Sequence, residues 1–268
     1  MENVNVLEHL NNLYGVDVSD CATPEEKLEK LTAYFHMQQD AYTKKYGEMG
    51  VEEAKELLYK AVSTRAKKIE NPQVREELKL HVINAVKVIV CDQMGIDPNR
   101  VGISIIDRSD DFESGRNYGI TCPAHIVNYE RKFGEKDDPE KMLASVVIYK
   151  DRLKMLQAPE LMSLMFHEFR HIQQIEMEKQ GVKFEHHSRG IHALDWLSDE
   201  KEADADRYAY AQSMNIFAGA AHAGYDTNYL RTHKRITSFV FGVYNNAHSL
   251  FAGSRHAQQI QRNSEPSK

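Results

Sequence analysis

Leu161-Met-Ser-Leu-Met-Phe-His-Glu-Phe-Arg-His171 is the stretch from which the rest of the chain can be read. Its first six residues are nearly all apolar and its last five are His-Glu-Phe-Arg-His, which predicts a helix from about Pro159 to Gln180. On a helix, His167 and His171 stand four residues apart and share one face, with Glu168 beside them. The apolar turns place this helix in a core, where His and Glu are costly unless ligated or hydrogen-bonded. Two neutral imidazoles on one face can share a metal ion, and an adjacent carboxylate can take a proton from water. With 13 histidines in 268 residues the pentapeptide also arises by chance on an exposed helix face, so its surroundings decide its meaning.

Downstream, Ser198-Asp-Glu-Lys-Glu-Ala-Asp-Ala-Asp-Arg-Tyr-Ala209 offers carboxylates at helical spacing, on a helix expected from about Ser198 to Met214. A strand, an HExxH helix and a second helix bearing Glu-x-x-Ala-Asp-x-x-Ala together resemble the gluzincin branch of the zincin metallopeptidases. Glu202, Ala205, Asp206 and Ala209 match that pattern. The resemblance implies one zinc ion per chain, with His167, His171 and Glu202 as ligands and Glu168 as general base. It also implies that Asp206 holds a ligand histidine from outside the metal sphere, and that small residues let the two helices approach. A second register puts Glu200 in the ligand position, without the later alanine match, and Asp199 and Glu200 also suit a helix N-terminus. Ile-Gln-Gln-Ile-Glu-Met follows His171, without the Gly and third His of a metzincin. His186, His187 and His192 are reserve ligands in a connection expected over His186 to Leu194. Tyr208, Tyr210, His222, Tyr225 and His233 are the candidates for stabilising an oxyanion.

Upstream, three short β-branched stretches read as strands: Val101 to Asp107, Tyr118 to Tyr129 and Ala144 to Lys150, with a charged loop from Lys132 to Lys141. Ala144 to Lys150 stands where zincins carry the edge strand that pairs with an extended substrate, although a core strand reads the same way. The first 95 residues are helical in pattern. Thr23 is an N-cap before Pro24, Leu28, Leu31 and Phe35 repeat at helical spacing, and further helices are expected over Val51 to Ile69 and Gln73 to Met94. A last helix is expected over Tyr229 to Phe251. The expected fold class is α+β, mainly helical, with a mixed sheet of about three strands packed on the HExxH helix. Residues 1–95 form a helical N-terminal region, 96–260 a zincin-like domain and 261–268 a polar tail. The resemblance spans Val101 to Ala209.

A net charge of −6 supplies no basic field for nucleic acid. No stretch approaches the roughly 18 apolar residues of a membrane span. The start has no signal-peptide pattern and three scattered cysteines show no CxxC spacing, so a reducing cytoplasm is the simplest expectation. Export without a cleaved signal would leave the same sequence. The expected activity is zinc-dependent hydrolysis of a peptide or protein substrate. The alternatives are a zincin-like regulatory or binding module with little or no hydrolysis, and a helical interaction protein in which the HExxH is fortuitous.

Overall fold

The computed structural model describes residues 16–106, 124–128, 143–184 and 200–232. The chain divides into two compact units, Met1–Leu58 with Glu70–Gln157, and Tyr59–Ile69 with Ala158–Lys268. The architecture is α+β and mainly helical, with one small sheet.

Helix α1 (Pro24–Tyr46) starts where the sequence predicts, because Thr23 and Glu26 form a reciprocal capping box and Pro24 fits the first turn. It buries Leu28, Leu31 and Phe35. The helix expected over Val51 to Ile69 is broken in two, α2 (Val51–Ala61) and α3 (Thr64–Lys67). Ser63 causes the break by turning its hydroxyl to the backbone N–H of Ala66, a new N-cap. Asn71 caps α4 (Pro72–Met94) in the same manner, and Gly95 ends it at φ 63°.

The three strands are β1 (Val101–Ile106), β2 (Ala124–Asn128) and β3 (Ala144–Tyr149), in the order β1-β3-β2. β1 runs parallel to β3 in the register Val101 to Ala144, and β2 runs antiparallel with Ala124 opposite Ile148. β3 is therefore the central strand, hydrogen-bonded on both sides, and all six of its residues are buried. The expectation of a substrate-pairing edge there is corrected, since its backbone donors and acceptors are already used. The continuous apolar run marks a strand buried on both faces.

A short helix α5 (Lys150–Met155) follows β3, and the ammonium of Lys79 donates to the carbonyls of Leu153 and Lys154 at its end. In the second unit, α6 (Ala158–Lys179) buries Leu161, Met162, Met165, Phe166, Phe169 and Ile172, the core face that its sequence predicts. Helix α7 (Glu200–His222) outruns its expected end by two turns because Ile216, Phe217 and Ala220 continue the buried face. Gly219 does not stop it: a Cβ there would lie 2.5 Å from the Tyr59 hydroxyl, so the glycine admits the ring. Gly224, at φ 85°, follows the helix end, and α8 (Asn228–Thr232) closes the described chain. The rest of the helix expected to Phe251, the loop over His186 to Leu194 and the polar tail lie outside the described residues. Among the described residues no helix is long and apolar enough to cross a membrane.

Candidate metal centre

Helices α6 and α7 pack antiparallel, which their cross-links show in sequence. Glu178 pairs with Lys201, Gln174 and Arg170 with Asp204, His167 with Asp206, and the Phe166 ring meets the Tyr208 ring. Small buried residues, Ala205, Ala209 and Ser213, recur every four positions on α7 and keep one of its faces slim.

This pairing brings three donor atoms together. His171 Nε2 lies 3.1 Å from His167 Nε2, and Glu202 Oε2 lies 3.3 Å from His167 Nε2 and 3.6 Å from His171 Nε2. His167, His171 and Glu202 could thus hold a metal ion. Atoms bound at about 2.0–2.1 Å around a tetrahedral ion stand about 3.3 Å apart, so the triangle has the dimensions of one tetrahedral face. Glu200, the other register, is not one of the three donors.

The outer ring nitrogens are committed. His167 Nδ1 lies 2.8 Å from Asp206 Oδ1, and His171 Nδ1 lies 2.9 Å from Gln174 Oε1. Each acceptor fixes a tautomer in which Nδ1 carries the proton and Nε2 points its lone pair at the shared point. Two such lone pairs and a carboxylate repel unless positive charge sits among them. Without a metal that charge is protonic. Burial opposes ionisation of His167, yet its hydrogen bonds to Asp206 and Glu202 raise its pKa to about 10. His171 is also raised, against burial, by its hydrogen bond to Glu202. Burial opposes ionisation of Glu202 too, but the two imidazoles hold its carboxyl far below the usual range.

Glu168 is 6% exposed, and burial pushes its pKa up despite the two imidazoles. Among the described residues its carboxylate accepts no hydrogen bond, so its oxygens remain available for a proton.

Around this core runs a network that sequence reasoning missed. Gln174 bonds His171 through its oxygen, and through its nitrogen it donates to Lys201 O at 2.8 Å and Asp204 Oδ2 at 2.9 Å. Arg170 grips the same Asp204 with two nitrogens and lies over the Tyr208 ring. Burial works against the Asp204 charge, but Arg170 and Gln174 keep its pKa low. A signal existed: Gln174 stands three residues after His171 and seven after His167, on the same helix face.

Of the oxyanion candidates, Tyr208 is engaged with Gln173, Arg170 and Phe166 in the helix interface. His222 ends α7, about 30 Å along the axis from Glu202 at 1.5 Å per residue, and Tyr225 follows that end. Neither reaches the three donors. Tyr210 lies two turns along α7 from Glu202. His233 and the reserve ligands His186, His187 and His192 lie outside the described residues. Comparison with protein-family models, curated proteins and solved structures finds no match to this chain.

Proposed function

We propose that the chain is a zinc metallopeptidase of gluzincin-like type, hydrolysing a peptide bond in a peptide or protein substrate. The observation that supports this reading most is the triangle of His167, His171 and Glu202, at 3.1, 3.3 and 3.6 Å, beside a buried Glu168. Zinc held by two imidazoles and a carboxylate would polarise a carbonyl and acidify water. Asp206 and Gln174 orient the two imidazoles, which keeps both Nε2 atoms on one point. Glu168 accepts the proton of the attacking water and delivers it to the leaving amine, giving a carboxylate and an amine as products. A site that only stabilises the fold has no use for such a carboxylate, and this favours hydrolysis over a binding or regulatory module.

The test joins elemental analysis to proteomic cleavage profiling of wild type and Glu202→Ala. Wild type should hold one zinc per chain and generate new peptide termini in a proteome digest; Glu202→Ala should lose both. Zinc bound without any cleavage would favour the regulatory module, and no metal at all would leave the HExxH as a chance pattern.

A further inference from the structure

Two buried lysines on α4 have very different surroundings. Lys79, 2% exposed, has Glu76 at 3.1 Å and the Leu153 and Lys154 carbonyls at 2.8 and 3.2 Å, a saturated ammonium that ties α4 to the end of α5. Lys87, two turns on and 3% exposed, donates only to the neutral side-chain oxygen of Gln39, at 3.0 Å. Among the described residues no carboxylate forms an ion pair with it, and Asp97 acts on it only through space. A buried ammonium with one neutral acceptor lacks the counter-charge that buried charges ordinarily have.

Lys87 lines a cavity of about 440 Å³ in the first unit. That is within the range of about 300–1,000 Å³ usual for small-molecule sites. The described lining contains two lysines, Lys45 and Lys87, and no Asp or Glu, in a chain that is acidic overall. Ser104 of β1 borders it, with its hydroxyl buried out of reach of solvent. Asn84 adds an amide, while Phe35 and Ile103 add apolar surface. Among the described residues, a cation without an ion-pair partner and apolar walls meet on one space.

We propose that this cavity binds a small organic acid, whose carboxylate pairs with Lys87 while its apolar body lies against Phe35 and Ile103. The site is separate from the metal centre, and the inference stands whether or not the metallopeptidase reading does.

The experiment titrates full-length protein with 3-phenylpropanoate and octanoate, each beside its uncharged amide, by calorimetry and by amide chemical shifts. The acids should bind at least tenfold more tightly than the amides, with shifts concentrated at Asn84 and Ser104. Lys87→Met, an unbranched side chain one atom shorter, should abolish the preference for the acid. Circular dichroism and thermal unfolding serve as folding controls, and Lys87→Gln replaces Lys87→Met if the latter fails them. Acid and amide binding alike, neither binding, or Lys87 variants that fold and keep the preference would each overturn the proposal.

Discussion

His171 Nε2 lies 3.1 Å from His167 Nε2 while the far nitrogen of each ring is held by a different side chain, Gln174 for one and Asp206 for the other. The two rings are turned toward each other by groups outside the pair, which is an arrangement for sharing a cation.

The raised pKa values make metal and protons competitors for one place. With His167 at about 10 and His171 raised in the metal-free protein, zinc uptake at neutral pH should displace at least one proton per chain. Affinity should therefore fall as pH falls. Calorimetric titration with zinc in buffers of different ionisation enthalpy measures the protons released, and a heat independent of buffer would show that none leaves.

Gln174 and Asp206 should matter to the metal rather than only to the fold. Gln174→Leu and Asp206→Leu each remove the acceptor that orients a ligand ring, and a loss of about 10–100-fold in zinc affinity is expected. Chelator competition gives the affinities, and the visible spectrum of the cobalt-substituted protein should change in the Leu variants.

Arg170 joins the two helices by its paired hydrogen bonds to Asp204 and by its position over Tyr208. Arg170→Met leaves the Asp204 carboxylate in a partly buried place without its cation. A destabilisation of about 1–3 kcal/mol is expected from denaturant unfolding, with Asp204→Asn partly restoring the double variant.

Lys87 sets a pH dependence opposite in sign to that of a paired lysine. Burial lowers its folded pKa from 10.5 to about 8, so between those values the unfolded chain binds more protons and stability rises with pH. The gain is at most about 3 kcal/mol. Cys91, raised by burial to about 12, and Tyr42, also raised by burial to about 12, pull the other way above pH 9. The prediction therefore concerns the difference between wild type and Lys87→Met, measured by urea unfolding from pH 7.5 to 10.5. Wild type should gain stability relative to the variant as pH rises, and a constant offset would contradict it.

The helices were largely legible because their signals are local. Thr23 with Pro24 and Glu26, and the apolar face of Leu161 to Ile172, each act within a turn or two of chain. Glu202 was separable from Glu200 only through the Ala205 and Ala209 spacing, and the structure gives the physical reason: those alanines are buried on the slim side of α7. Strand order was not legible, since nothing within Ala144 to Tyr149 says which strands flank it, and a run buried on both faces fits any interior position. Gln174 escaped notice because an amide two bonds beyond a metal ligand has no motif of its own. Its meaning depends on His171, Lys201 and Asp204 meeting across two helices. The unsaturated Lys87 was invisible for the same reason, as only packing separates it from Lys79.

The central claim is most directly tested by measuring zinc content and peptide hydrolysis together in wild type and Glu168→Gln. The account predicts one zinc per chain in both proteins, with hydrolysis lowered by about 10²–10⁴-fold in the variant, as expected for loss of a general base. Full hydrolysis by Glu168→Gln, or wild-type protein that binds no zinc, would contradict it.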